Sequence, residues 1–236
     1  MHLPLRGRAP VDVRTPWRAR HYCVRMTASK AASWTWTESW VEESPAVRDA
    51  RTRAAELGVA AVSPGTGALL AVLAASLPGR AVVDVGTGAG VAALRMLEAM
   101  PENGVLTSID VEVEHQGAAR TALQAAGIRG NRARIIHGDA ADVLPRLADG
   151  GYDLVHVDVD DPRVSALVLT EALRLLRAGG VLVVSDALAQ DRVPDPAQRD
   201  QRTTAARELL RAVAEDDRLV RSVLPVGDGV LLAVKR

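Results

Sequence analysis

Three glycines follow a run of β-branched residues in the stretch VVDVGTGAG, at Gly86, Gly88 and Gly90. Glycines between a strand and a helix let the backbone approach a ligand closely, as in nucleotide-binding turns. The dinucleotide fingerprint G-x-G-x-x-G/A would place its third small residue at position 91, where this chain has Val91, so a pyrophosphate site is disfavoured. Asp84, just before the glycines, suits an ammonium or sulfonium group better than a phosphate. A tight turn that binds no ligand is the alternative.

Acidic residues also follow the next three apolar runs of the chain. Asp110 lies about 20 residues beyond the glycine turn, where its carboxylate can accept hydrogen bonds from both ribose hydroxyls. Asp139 is placed to accept from an exocyclic amine, with the backbone of Ala140 beside an adenine edge. A third group, in the stretch VHVDVDD, contains Asp158, Asp160 and Asp161. Each acid alone could be a helix cap or a loop residue, but acids at the ends of consecutive strands indicate one binding site.

The elements that must position these residues alternate between apolar runs and helical periods, which predicts a doubly wound α/β fold with a parallel sheet. Predicted strands lie near 81–85, 104–109, 133–137, 152–158 and 180–185. Predicted helices lie near 89–99, 113–126, 163–177 and 197–215. Two strand-like runs flank Gly227-Asp228-Gly229, which predicts a closing hairpin and an antiparallel last strand. His156 falls inside the fourth strand and is expected to pack there.

The composition argues against several classes of function. The 236 residues carry 29 basic and 29 acidic side chains, so the net charge gives no support for binding nucleic acid or an anionic membrane surface. The single cysteine, Cys23, excludes an internal disulfide and favours a cytoplasmic location. The longest apolar run, 67–77, is too short to span a bilayer, so no membrane partner is expected.

The N-terminal residues 1–44 are predicted to form a basic tail and a tryptophan-rich arm, followed by a single domain over 45–236. Residues 1–25 hold six arginines, one acid and three prolines without an apolar period, which predicts disorder. A solvated tail, a basic nucleic-acid arm and a true start at Met26 are alternatives. The arm contains Trp34, Trp36 and Trp40. Such rings favour an anchor onto the body or a partner subunit, and a lid over an aromatic substrate is the alternative.

From Val59 to Arg236 the chain resembles the class I S-adenosylmethionine-dependent methyltransferases, and within them the catechol and caffeoyl-CoA type O-methyltransferases. The segments that carry the resemblance are VVDVGTGAGVAAL, GVLTSIDVEVEH, RIIHGDAADVLPRL, YDLVHVDVD, EALRLLRAGGVLVVSDAL and VLPVGDGVLLAVKR. The resemblance implies a seven-stranded Rossmann-like sheet, S-adenosylmethionine as cofactor, a small-molecule acceptor and a homodimer.

Carried over residue by residue, the resemblance also implies a cofactor site. The methionine end would lie near Val62 and Ser63, with Ala92 at the start of the following helix. The methionine moiety would be surrounded by Asp84, Gly86, Thr87, Gly88 and Gly90. The ribose and the adenine would contact Asp110, Val111, Asp139 and Ala140, and Asp158 and Asp160 would complete the set.

The same resemblance implies a divalent ion, Mg²⁺ or Ca²⁺, held by Asp158 and Asp186. The sequence departs from the family at two positions, because Ala187 stands where a metal-binding amide is expected and Asp161 where a lysine helps to take the proton. Losing one oxygen ligand weakens such a site without abolishing it, since waters fill the shell. Asp158 and Asp161 are the catalytic candidates, with Asp161 as a general base, although an extra ligand is an alternative for Asp161 and a loop residue before Pro162 is the simplest interpretation.

These features predict an O-methyltransferase that acts on a phenolic or catechol-like hydroxyl, with a weakened or absent metal site. A non-catalytic protein of the same fold, binding S-adenosylmethionine or serving as a scaffold, is one alternative. An NAD-dependent dehydrogenase is another, which the glycine spacing and the lack of a catalytic Tyr-x-x-x-Lys pair oppose.

Overall fold

One seven-stranded sheet lies at the centre of the computed structural model, which describes residues 28–77, 81–159 and 161–236. Its strands are β1 (Ala81–Val85), β2 (Val105–Asp110), β3 (Ala133–His137), β4 (Tyr152–Val157), β5 (Leu176–Val184), β6 (Leu219–Leu224) and β7 (Val230–Lys235). The spatial order is β3-β2-β1-β4-β5-β7-β6, and β7 runs antiparallel to both of its neighbours. The predicted basic tail, Cys23, Met26 and Asp160 lie outside the described residues.

Helices cover both faces of this sheet. They are α1 (Ala28–Trp40), α2 (Pro45–Glu56), α3 (Pro64–Ser76), α4 (Val91–Ala99), α5 (Val113–Ala125), α6 (Ala140–Val143), α7 (Pro162–Leu175) and α8 (Gln201–Glu215). One apolar core joins the sheet to α2, α3, α4 and α5, and a second joins it to α6, α7 and α8. Because both faces are buried, the central strands are apolar along nearly their whole length.

The predicted fold class is confirmed, since the sheet is doubly wound and ends in an antiparallel hairpin. Two predicted boundaries are wrong. The helix predicted over 163–177 ends at Leu175, because Leu176 already pairs with Tyr152 of β4 and so begins β5. The helix predicted from 197 begins only at Gln201, after an N-cap at Asp200 whose carboxylate accepts a hydrogen bond from the Thr203 amide.

The tryptophans of α1 do not anchor that helix to the body, so this expectation for them is wrong, whereas an anchor onto a partner subunit and a lid stay predictions. Trp34, Trp36 and Trp40 are 46%, 61% and 71% exposed. Instead Glu38 attaches α1, because its carboxylate accepts hydrogen bonds from the amides of Gly65 and Gly227. None of the described helices is long and apolar enough to cross a membrane.

Candidate functional site

The glycine turn after β1 needs glycine for reasons internal to the protein. Gly86, Gly88 and Gly90 have φ values of 96°, 50° and 90°, in the left-handed region that side chains disfavour. A Cβ on Gly86 would lie 2.2 Å from the carbonyl oxygen of Asp158, and one on Gly90 would lie 3.1 Å from Cα of Ala119. The turn is therefore packed directly against the end of β4 and against α5.

Beneath this turn lies a buried network of hydrogen bonds centred on Asp84. Its Oδ1 lies 2.8 Å from Nδ1 of His156, and its Oδ2 accepts from the Ser108 hydroxyl at 2.7 Å. Nε2 of His156 lies 2.9 Å from Oγ of Ser185, and the Thr87 and Ser108 hydroxyls lie 2.7 Å apart. Asp84 and His156 have no exposed surface. The Asp84 carboxylate thus supports the turn from below, and its contact with the methionine moiety stays a prediction.

His156 is more than a packing residue of β4, which is what the sequence suggested for it. Burial alone lowers its pKa, but the hydrogen bond to Asp84 and the charges of Asp84, Asp158 and Asp186 outweigh that effect, so the pKa of His156 is raised above its ordinary 6.5. The network joins the glycine turn after β1 to Ser185 after β5. It therefore connects two strand ends at the same edge of the sheet.

An open cleft of about 370 Å³ lies at the carboxyl ends of β1, β2 and β3. Of the predicted cofactor residues, it brings together Gly86, Asp110, Val111, Asp139 and Ala140. The Asp110 carboxylate is 8% exposed and accepts hydrogen bonds from the amides of Gly88 and Glu112. The remaining described members of the predicted set do not line this cleft: Val62, Ser63, Asp84, Thr87, Gly88, Gly90, Ala92 and Asp158.

Arg163 lies at the mouth of this cleft, a position that no sequence motif indicated. Its guanidinium donates to Asp139 Oδ2 at 2.9 Å and to Asp161 Oδ2 at 2.7 Å. Asp161 is the N-cap of α7, and hydrogen bonds from Arg163 lower the pKa of its carboxyl below the ordinary 3.8. Asp161 lines the cofactor cleft, so the geometry gives no support to its predicted role as general base or metal ligand.

We expect Asp161→Ala to reduce the free energy of unfolding by about 1 kcal/mol through loss of the N-cap, and to leave methyl transfer within a few-fold of wild type. Urea unfolding and a turnover assay check both expectations. Asp161→Asn is the matched control, because an amide oxygen still caps the helix. A loss of turnover beyond tenfold in both variants, at unchanged stability, would restore the general-base interpretation.

A second, smaller cavity of about 50 Å³ lies at the ends of β4 and β5, against α8. Its polar residues are Asp158, Ser165, Ser185, Asp186 and Arg202, and Ala187 adds a methyl group. The guanidinium of Arg202 lies 3.3 Å from Asp186 Oδ2. Val159 lines both this cavity and the cofactor cleft, so the two cavities are immediate neighbours.

The donors of this second cavity fit a divalent metal poorly. Among the residues described, no group of three or more His, Cys, Asp and Glu side chains could hold a metal ion. Asp158 and Asp186 share the cavity as predicted, but a guanidinium lies against Asp186, and Ala187 offers no side-chain oxygen. Mg²⁺ and Ca²⁺ prefer a shell of six or more oxygens, several of which come from the protein in Ca²⁺ sites. The described donors therefore give no support to the predicted metal site.

The sheet and its two adjoining cavities define a Rossmann-like domain with a ligand cleft at the carboxyl ends of its strands. A profile of the O-methyltransferase family matches residues 38–236. A protein of Mycobacterium ulcerans (strain Agy99) assigned as an O-methyltransferase is 50% identical over 198 residues, which are 84% of this chain and 88% of that protein. A solved protein of Corynebacterium glutamicum is 34% identical, with a TM-score of 0.81 over 88% of this chain and 97% of its own. The O-methyltransferase TomG of Streptomyces achromogenes, solved with S-adenosylmethionine and involved in tomaymycin synthesis, is 27% identical, with a TM-score of 0.78 over 89% and 99%.

The chain belongs to the O-methyltransferase family. It is an enzyme, and S-adenosylmethionine is its cofactor, as the sequence predicted. The alternatives of a dehydrogenase and of a scaffold protein are thereby set aside. The sequence did not indicate three residues near the site, Glu38, Arg163 and Arg202. Their partners lie far away in the chain or in irregular segments, so no local pattern marks them.

Proposed function

We propose that this enzyme transfers the methyl group of S-adenosylmethionine to the hydroxyl of a small phenolic or catechol-like acceptor bound at the ends of β4 and β5. The observation that carries this proposal is the pair of neighbouring cavities that share Val159. One is lined by carboxylates and backbone, and the other combines polar groups with apolar walls from Val184, Leu209 and Leu231. Such walls suit the edge of an aromatic ring that lies across the opening of this small cavity, and the polar end suits its oxygen.

In the cofactor cleft, Asp110 would accept from the ribose hydroxyls and Asp139 from the adenine amine, with Val111 and Ala140 beside them. Among the described residues that line this cleft, three are carboxylates, Asp110, Asp139 and Asp161, and one is a cation, Arg163. This excess of negative charge disfavours a pyrophosphate and favours a ligand that carries a sulfonium and no phosphate. The methionine end would extend past Gly86 towards Ser63. The other predicted residues of this region would act mainly by shaping the glycine turn after β1: Asp84, Thr87, Gly88, Gly90, Val62 and Ala92.

The chemistry is an in-line displacement at the sulfonium methyl by the acceptor oxygen. Asp158 is the proposed catalytic residue, because it lines the acceptor cavity while its backbone touches the glycine turn of the cofactor side. Its carboxylate would orient the acceptor hydroxyl and take its proton. Most of the acceleration would come from holding the oxygen in line with the methyl carbon, an effect of proximity and electrostatics.

The first test is calorimetric titration of S-adenosylhomocysteine, and separately of NADH, into the purified full-length protein. We expect saturable binding of S-adenosylhomocysteine with or without EDTA and no binding of NADH, because the acidic cleft repels pyrophosphate. A panel of phenols and catechols, assayed with labelled S-adenosylmethionine, then identifies the acceptor class. Binding of NADH in place of S-adenosylhomocysteine would refute the cofactor assignment, and turnover only with aliphatic alcohols or amines would refute the acceptor class.

We also propose that the enzyme works as a homodimer in the cytoplasm. Support for the dimer comes from α1, where Trp34, Trp36 and Trp40 expose large aromatic surfaces that a partner subunit could cover. Sedimentation equilibrium of the full chain tests this proposal. Replacing Trp36 and Trp40 together by serine should shift the protein towards monomer, and an unchanged dimer would place the interface elsewhere.

A further inference from the structure

We propose that the guanidinium of Arg202 is the fixed cation of the acceptor cavity and binds the acceptor oxygen as an oxyanion, in the role that the resemblance assigned to a divalent metal. This inference rests on the proposed function and goes one step further, because it names the group that stabilises the nucleophile. It also predicts that one acidic hydroxyl on the acceptor is sufficient. A second, adjacent oxygen that could chelate a metal is not required.

Arg202 is held firmly at the cavity by its own helix. It lies in the first turn of α8, whose N-cap Asp200 accepts hydrogen bonds from both the amide and the hydroxyl of Thr203. Arg207, one turn further along, donates to the backbone carbonyls of Arg192 and Val193 and so fixes the segment before the helix. The side chain of Arg202 is 28% exposed, which leaves its charge only partly screened by water.

The contact between Arg202 and Asp186 disfavours a second cation on that carboxylate. The guanidinium of Arg202 already lies 3.3 Å from Asp186 Oδ2, so a divalent ion on that carboxylate would meet an adjacent positive charge. Ala187 is 5% exposed and contributes only a methyl group at the position next to Asp186. Arginine remains protonated at every pH at which the protein is folded. Its guanidinium is planar, and two of its N–H groups can donate to the same oxyanion.

The proposed step balances without any further reactant. The acceptor hydroxyl passes its proton to the Asp158 carboxylate, and the guanidinium of Arg202 donates hydrogen bonds to the resulting oxyanion. An oxygen lone pair forms the new bond to the methyl carbon while the carbon–sulfur bond breaks and its electron pair stays on sulfur. The products are the methyl ether, neutral S-adenosylhomocysteine and a protonated Asp158, which returns its proton to solvent. Removing a donor to an oxyanion costs roughly 100- to 1000-fold in kcat.

A metal titration tests the first half of this inference and needs no known acceptor. Mn²⁺ is titrated into the protein saturated with S-adenosylhomocysteine, for wild type, Arg202→Ala and the double variant Arg202→Ala/Ala187→Asn. We expect the apparent Kd for Mn²⁺ to be at least tenfold lower for the double variant than for wild type, with Arg202→Ala between them, because the cation is gone and an amide oxygen has been added. Stoichiometric binding to wild type that is lost in Asp186→Ala would overturn the inference.

A spectroscopic titration tests the second half. 4-Nitrocatechol is the probe, because its phenolate absorbs visible light and its neutral form absorbs much less, and it is added with S-adenosylhomocysteine and EDTA present. We expect wild type to bind the phenolate and raise the visible absorbance, Arg202→Gln to lose this shift, and Arg202→Lys to recover part of it. The matched control is Arg199→Gln, an exposed arginine just before the same helix, which should behave as wild type.

The outcomes separate this inference from the proposed function. If wild type fails to bind S-adenosylhomocysteine, the proposed function itself fails. If that binding is intact in Arg202→Gln while the phenolate shift is lost, the inference is supported. An absent shift with wild type, or an equal shift with Arg202→Gln, overturns the role of Arg202 and leaves the cofactor assignment standing.

Discussion

Asp110→Ala is expected to weaken the binding of S-adenosylhomocysteine at least about 100-fold, because two hydrogen bonds from ribose hydroxyls to a charged group are lost. The same carboxylate also holds the glycine turn, since its Oδ2 accepts from the Gly88 amide at 2.9 Å. Its other oxygen accepts from the Glu112 amide at 2.8 Å and lies 3.3 Å from Nδ1 of His115. The substitution therefore removes a ligand contact and loosens the turn at once. Calorimetric titration measures the loss.

Two further variants show which of these effects dominates. Asp110→Asn keeps one acceptor oxygen for the Gly88 amide, so it should preserve the turn and lose less affinity than Asp110→Ala. Glu102→Ala is the matched control, because Glu102 is 93% exposed and forms a surface ion pair with Arg129. It should bind as wild type does. An affinity for Asp110→Ala within threefold of wild type would remove Asp110 from the ribose site.

Much of the cofactor cleft could be predicted from the sequence because its residues follow strands. A parallel sheet brings the carboxyl ends of its strands to one edge, so Gly86, Asp110 and Asp139 had to converge once the strands were recognised. The apolar runs that mark those strands are buried on both faces, and such runs are the strongest signal in a sequence. The antiparallel hairpin at the end of the sheet could also be predicted from the sequence, because Gly227 and Gly229 mark its turn. In the structure both glycines take the left-handed conformation.

The acceptor cavity at the ends of β4 and β5 was harder to predict from the sequence. The segment after β5 is irregular, and Asp186, Ala189, Gln190 and Asp191 all have positive φ, which no local pattern indicates. Its conformation depends on the β6–β7 turn, where the Asp228 carboxylate accepts from the Gln190 amide at 2.6 Å. That contact, the hydrogen bonds from the Ala187 and Leu188 amides to the carbonyls of Gly229 and Asp228, and the start of α8 together bring Arg202 beside Asp186. The resemblance implied a metal there, and Arg202, the side chain that we propose in its place, lies 16 residues beyond Asp186.

Helix α1 shows a second reason why a prediction from the sequence can be wrong. Three tryptophans close together suggested hydrophobic anchoring, yet Glu38 makes the polar contacts that attach α1 to the body. Its partners include Gly227, which is 189 residues away in the chain. A contact at that separation leaves no periodicity in the sequence, so only the folded chain reveals it.

Asp84→Ala is expected to lower the free energy of unfolding by about 3–5 kcal/mol, because it leaves the buried His156 without its partner. The two side chains are fully buried, and their 2.8 Å contact connects β1 to β4. Asp84→Asn should lower the free energy of unfolding by less, since the oxygen of the asparagine side chain can still accept a hydrogen bond from one neighbour. Asp49→Asn, an exposed acid on α2, is the control and should unfold as wild type does. Urea unfolding at constant pH measures each value, and a loss below about 1 kcal/mol for Asp84→Ala would mean that the pair is not buried as described.

The same pair makes stability depend on pH with a definite sign. The pKa of His156 is raised in the folded protein, so the folded state binds more protons than the unfolded state at pH values just above the ordinary 6.5. The stabilisation is fully present below that value and is lost as the pH rises through the folded pKa. Wild type should therefore lose stability between about pH 6.5 and the raised value. Asp84→Asn should show a flatter dependence, because it lacks the Asp84 charge, although the charges of Asp158 and Asp186 remain. Urea unfolding at intervals from pH 6 to pH 9 compares the two curves, and parallel curves would mean that His156 does not carry the proton.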